Sequence, residues 1–221
     1  NKKYKGGQIS PGINLRLKSL SSFTTSLPDL QFSEPKKILG NSTIESIRSG
    51  VFFGVFDEKT DQINTLKFLD NELVLVLDRP EKPGNVGAIF RTFEAFGFKN
   101  IFIVETNLDI YNPIIIRSSL GAVFNLNIFK LRFDQIKQLL KKEKFKIIIS
   151  DVDAEIHYGK VNLKEKIALV MGPEKSKVSN DLKKISDHTI KIPMFGKVDS
   201  LNLSVATSII LSESVNQRKI S

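Results

Sequence analysis

The sequence predicts an α/β domain, a parallel sheet covered by helices on both faces. Three observations predict it. Apolar runs of about five or six residues recur, each bounded by Gly, Pro or polar residues and each too short for a helix. Segments of helical periodicity alternate with them. The runs are apolar at every position rather than at every second one, which marks strands buried on both faces, as parallel strands are.

The elements follow in order. LVLVLD at 73–78 is the first strand, and the loop RPEKPG leads to a helix over about 85–96. A strand at 100–105 precedes a short helix at 112–120, with Pro113 in its first turn, where the missing N–H costs nothing. A strand at 127–131 and an amphipathic helix at 133–142 come next. Strands at 146–151 and 167–172 flank a polar segment. A helix at 178–186, a short strand at 189–193 and a long helix at 202–216 complete the pattern. No internal repeat is present. Before the sheet, residues 1–35 are Lys-, Ser- and Pro-rich and read as partly flexible. Residues 42–50 read as a short helix capped by Ser42 or Thr43 and ended by Gly50, and 51–56 as a strand. The polar connector 57–71 places a boundary, giving an N-terminal domain over 1–70 and a sheet domain over 71–221.

Composition narrows the function classes. The chain has 221 residues, 41% hydrophobic and 26% charged, which is globular composition. No apolar run reaches the roughly 20 residues of a membrane span, and no signal-peptide pattern is visible. The absence of cysteine excludes disulfides and thiolate metal sites and fits a reducing, cytoplasmic setting. His157 and His188 are too few for a histidine metal site, so no metal is expected. The net charge of +9 attracts polyanions, nucleic acid first, although a Lys-rich solvated surface reads equally well from charge alone. Lys36–Lys37, Lys141–Lys144 and Lys183–Lys184 are the runs that would meet phosphates. Phe is plentiful while Trp is absent and Tyr scarce, which speaks for core rather than a stacking platform.

In open α/β sheets, ligands sit outside the carboxyl ends of the strands. The loops leaving those ends are 79-RPEKPGNVG-87, 172-GPEKSK-177 and 193-PMFGKVDSLN-202. The first feeds a helix N-terminus and offers backbone N–H groups, but it has neither the GxGxxG spacing nor the P-loop Lys–Ser/Thr pair. Asn85 falls near its N-cap. Arg91, six residues on and close to two turns, is expected on roughly the same side. Alone, Asn85 reads sooner as a plain cap and Arg91 as a solvated surface residue than as functional groups. Gly172 lets backbone approach a ligand, and Glu174 reads as a first-turn acid on a helix dipole. In 200-SLNLSVATSIILSE-213, Ser200 and Asn202 are two candidates for one cap, and Ser204 could back-bond to the chain.

Together and in order, 76-VLDRPEKPGNVGAIFRTFEAFG-97, 168-ALVMGPE-174 and 192-IPMFGKVDSLNLSVATSIILSE-213 resemble the three motifs of the SpoU/TrmH branch of the SPOUT superfamily of RNA methyltransferases. The segment 109-DIYNPIIIRSSLGAVF-124 is similar as well. The likeness spans about residues 73–218. It implies a C-terminal trefoil knot in the sheet domain and transfer of methyl from S-adenosylmethionine to a ribose 2′-hydroxyl of RNA, with rRNA ahead of tRNA. Residues 38–56 resemble the tail of the small α+β RNA-binding domain that often precedes it. The resemblance places the cofactor against Gly172, Ile192, Met194 and Leu201. It makes Arg91 the essential residue, with Asn85, Glu174, Ser200 and Asn202 as its polar partners, and it implies a homodimer whose sites draw on both subunits. A guanidinium stays protonated far above neutral pH. The role expected of Arg91 is therefore to grip a phosphate and stabilise developing alkoxide, with Glu174 taking the proton. Two positions depart from the pattern: Lys177 stands where the family has Gly, and Pro173 where it has a small or polar residue. They leave open a non-catalytic RNA-binding or ribosome-assembly protein on the same fold. A nucleotide-cofactor oxidoreductase lacks its glycine fingerprint here.

Overall fold

The computed structural model describes residues 66–174 and 176–219, within a compact unit that runs from Glu58 to Ser221. The helix and strand expected over 42–56 lie outside the described residues. Seven parallel strands form one sheet, β1 (Leu73–Asp78), β2 (Asn100–Val104), β3 (Asn127–Leu131), β4 (Lys146–Ser150), β5 (Ile156–His157), β6 (Ile167–Met171) and β7 (His188–Lys191), in the order β3-β2-β1-β6-β4-β7-β5. Among the described residues, five α-helices accompany them: α1 (Pro83–Ala95), α2 (Pro113–Ser118), α3 (Phe133–Lys142), α4 (Asn180–Lys183) and α5 (Leu203–Lys219).

Burial accounts for the strands. Every residue of β1, β2 and β6 is buried, as continuous apolar runs demand of central parallel strands. Side chains alternate across the sheet. On one face Val74, Val76, Phe102, Val170 and Ile149 join Ile136 and Leu140 of α3 and Leu182 of α4 in a single cluster. Alternation turns Leu75 and Leu77 to the other face, where α1 and α5 pack together and bury Phe90, Phe93, Ile210 and Leu211. Each such large apolar side chain contributes about 1.5–3 kcal/mol by leaving water.

Two local features differ from the sequence pattern. The helix expected over 178–186 contracts to Asn180–Lys183: its start is set by Ser179, held extended (φ −55°, ψ 144°) while its N–H donates to Asp78 Oδ2 at 2.8 Å, and beyond Lys183 the chain tightens into turns, with Ile185 N on the Leu182 carbonyl at 3.2 Å and Ser186 N on the Lys183 carbonyl at 3.3 Å. The polar segment between β4 and β6 contains β5, a two-residue edge strand pairing Ile156 with Ile190 and His157 with Lys191.

The chain builds β1, β2 and β3 outward in one direction and then returns to lay β6 against the other side of β1. Sheets of this kind bind ligands in the crevice outside the carboxyl ends of the strands at such a reversal, which here falls between β1 and β6.

Candidate active site

The first wall of the crevice is set by the end of β1. Asp78 is 1% exposed. Arg79 turns into the left-handed region (φ 46°), which brings its guanidinium back onto the Asp78 carboxylate through Nε at 3.1 Å and Nη2 at 3.2 Å. Nη2 also donates to the Lys177 carbonyl at 3.1 Å. With the Ser179 N–H on Asp78, this latch ties the loop after β1 to the loop after β6. The hydrogen bond to Asp78 raises the Arg79 pKa above its ordinary value, against the opposing effect of burial.

Glu174 hangs from the second loop into the crevice, its side chain 9% exposed. Its Oε1 accepts a short hydrogen bond from Asn85 Nδ2. Its Oε2 is buried and has no hydrogen-bond partner, while the Lys82 ammonium lies 3.4 Å away, out of hydrogen-bonding alignment. Asn85 sits at the third position of α1; the N-cap is Lys82, which makes no side-chain cap. Asn85 Oδ1 accepts from Asn202 Nδ2 at 3.1 Å. Asn202 Oδ1 accepts both the Ser204 N–H at 2.9 Å and the Ser204 hydroxyl at 2.7 Å, and its carbonyl begins the helix with Ala206 N at 2.9 Å. Asn202 is therefore the cap of α5, and its amide donor is left to reach Asn85. The seam continues down the two helices, where the Ser208 hydroxyl meets Thr92 Oγ1 at 3.3 Å.

Ile192, Met194, Ser200 and Leu201 line one small cavity with Ser150, Asp151, Val152 and Ala206. Ser200 is exposed and caps nothing. Gly172 closes the end of β6 nearby but is not in the cavity wall; a Cβ there would lie 2.8 Å from Val178 Cγ2, so the strand end must be glycine for the loop to fold back as it does. Asp151 borders the cavity. Burial works to raise its carboxyl, but hydrogen bonds from Lys183 Nζ at 2.6 Å and from the Asp153 N–H, with the charges of Lys183 and Lys177, outweigh it and hold the pKa below the ordinary carboxylate value.

The structure thus gathers Asn85, Glu174 and Asn202 into one network and Ile192, Met194, Ser200 and Leu201 around one cavity. It does not bring Arg91 to the network. At about 100° per residue, six residues leave Arg91 and Asn85 about 120° apart around the helix, not on one side. Arg91 is exposed and bonds to no other described residue. The departure at Lys177 fits the backbone path: its φ is not positive, so glycine's freedom is not required, and its ammonium pairs with Asp153 in the loop after β4. Two participants escaped the sequence reading. Lys82 is a single Lys before Pro–Gly, and Asp78–Arg79 closes a strand; neither has a pattern that separates it from a solvated loop.

The parallel sheet carries a nearly buried carboxylate and two amides beyond the ends of β1 and β6, and a small cavity beyond the ends of β4 and β7, which defines an α/β domain with its polar cluster at the carboxyl ends of the strands. The particular family follows from comparison with known proteins. A model described as the SpoU rRNA Methylase family matches residues 72–212, and the chain belongs to that family. An uncharacterized tRNA/rRNA methyltransferase of Borreliella burgdorferi is 37% identical over 155 residues, 68% of this chain and 67% of the relative. The 23S rRNA (uridine(2479)-2′-O)-methyltransferase of Streptomyces viridochromogenes is 26% identical, over 74% of this chain and 59% of the relative. Among solved structures, the SpoU methyltransferase AviRb of that organism, in complex with AdoMet, superposes with a TM-score of 0.69 at 26% identity, over 73% of this chain and 66% of that one. A second family model, type III pantothenate kinase, matches residues 1–64, outside the described residues, and no site is built on it.

Proposed function

We propose that this protein is an S-adenosylmethionine-dependent RNA methyltransferase acting on a ribose 2′-hydroxyl. The observation that carries the reading is the Asn85–Glu174–Asn202 network beside the cavity of Ile192, Met194 and Leu201. The residues present fit the cofactor. The apolar side chains of Ile192, Met194 and Leu201 wall the cavity, and the exposed loop 195–200 brings its backbone beside it. Gly172, Ile192, Met194 and Leu201 would hold it. The bound cofactor supplies a methyl group on a sulfonium, already a strong electrophile.

What the protein must add is activation of a weakly acidic hydroxyl. Glu174 carries a buried oxygen with open acceptor capacity, fixed from its other side by Asn85. It accepts the hydroxyl proton as the oxygen attacks. Asn202 orients Asn85, and Ser200 stands at the mouth of the cavity. Arg91 grips the adjoining phosphate through its planar fork and stabilises charge developing on the oxygen. Its exposed position, away from the network of its own chain, supports a homodimer in which it serves the partner's site.

The finer reading extends to the rest of the molecule. The return of the chain after β7 to pack α5 on α1 supports a trefoil knot through the C-terminal loops. Residues 1–70 are assigned to RNA binding, and rRNA is preferred to tRNA because the rRNA enzyme named above is a relative. No described helix is long and apolar enough to cross a membrane, and a cytoplasmic location is part of the proposal. Isothermal titration with S-adenosylmethionine, followed by transfer of labelled methyl to rRNA and mapping of the 2′-O-methyl mark, tests the whole reading. A folded dimer that binds no cofactor with or without RNA overturns it.

A further inference from the structure

We propose that Lys82 is a positioning residue for the same reaction, holding Glu174 with Oε2 turned toward the hydroxyl; the inference rests on the role given to Glu174 above. Two observations carry it. The first is the state of Glu174. Its side chain is 9% exposed, one oxygen accepts from Asn85, and the other is buried with no hydrogen-bond partner. Such an oxygen is costly to leave unpaired unless something later fills it. The second is the placement of Lys82. Its backbone is fixed as the cap of α1, its carbonyl accepting from Asn85 N and Val86 N at 3.1 Å each, and its ammonium lies 3.4 Å from Oε2.

The carboxylate is therefore held at two points by residues three apart on one helix start. Asn85 fixes Oε1 by a hydrogen bond. Lys82 attracts Oε2 by charge without occupying its lone pairs, because the alignment for a hydrogen bond is missing. This leaves Oε2 oriented and still able to accept a proton from a third group. A structural reading of the pair predicts a modest loss of stability and no change in turnover: Lys82 is 60% exposed, so solvent screens its end of the pair, although Glu174 is nearly buried. The positioning reading predicts a large effect on turnover, since misplacing a catalytic group by about 1 Å costs on the order of 100-fold.

The test uses the full-length protein, tritiated S-adenosylmethionine and bulk rRNA. Lys82→Met keeps the bulk and removes the charge; Lys82→Arg keeps the charge. The expected result is a kcat lowered roughly tenfold to 100-fold in Lys82→Met, with the cofactor KM and the melting temperature unchanged, and recovery to within about threefold in Lys82→Arg. Lys82→Met with wild-type kcat overturns the role of Lys82 while leaving the methyltransferase reading intact. A wild-type protein that transfers no methyl overturns both.

Discussion

The side-chain amide of Asn202 donates to Oδ1 of Asn85 at 3.1 Å, across 117 residues of sequence. The bond turns a helix cap into one half of a relay that ends on Glu174. Removing either Asn frees the carboxylate to swing. Asn85→Ala and Asn202→Ala are each expected to lower methyl transfer by about 10-fold to 100-fold. Because both act through Glu174, the double variant is expected to be no worse than about the weaker single one. Steady-state kinetics on the four proteins checks this, and fully multiplicative losses would sink the relay.

Arg91 is solvent-exposed, so Arg91→Ala is expected to leave the melting temperature within about 1 °C of wild type and to abolish turnover. A composite site makes a sharper prediction. Mixed after unfolding and refolding, inactive Arg91→Ala and inactive Glu174→Gln chains form heterodimers with one intact site of two. With half the dimers mixed, about a quarter of wild-type activity is expected. No recovery in such a mixture would place Arg91 and Glu174 in the same protomer's site.

Gly87 is where α1 meets α2. A Cβ there would fall 1.9 Å from Ser118 Oγ and 2.7 Å from the Ile115 carbonyl. The serine can rotate but the carbonyl belongs to a helix and cannot. Gly87→Ala is expected to destabilise by about 1–3 kcal/mol through overpacking. Pairing it with Ser118→Ala should recover less than half, and thermal denaturation of both variants decides.

Asp151 has a pKa lowered in the folded protein, chiefly against burial and through its bonds to Lys183 and the Asp153 N–H. A lowered carboxylate contributes stability above the ordinary pKa of about 4 and loses it as pH falls through the folded value. Lys183→Met removes the partner. The gap in melting temperature from wild type should be widest near neutral pH and shrink below about pH 4. A gap of equal size at pH 3 would assign the loss to packing of the Lys183 stem instead.

The sheet was legible because its physics is simple. Strands buried on both faces must be apolar throughout, and LVLVLD or IALVM has no other reading at that length. The site was legible for a different reason. Asn85, Glu174 and Asn202 lie within ordered motifs whose resemblance to a family can be read from one chain. What was not legible is set by contacts between distant segments. The shortening of α4 depends on Asp78 capturing Ser179, which no local pattern reports. The two residues of β5 are too few for any periodicity. The angle between Asn85 and Arg91, by contrast, was legible, since six residues do not complete two turns of a helix. Lys82 has meaning only once Glu174, 92 positions later, stands above it.

The sheet order also bears on how the protein is made. β1 leads into the loop that carries Asn85 but is flanked by β6, and the network that Asn85 joins ends at Asn202. A nascent chain leaving the ribosome has its first half long before the second. During that interval β1 offers an unpaired edge to other chains, Asn85 lacks Glu174 and Asn202, and Asp78, already paired with Arg79, lacks the Ser179 N–H. Synthesis past residue 202 is thus a condition for assembling the Asn85–Glu174–Asn202 network, and a half-made copy stands without it.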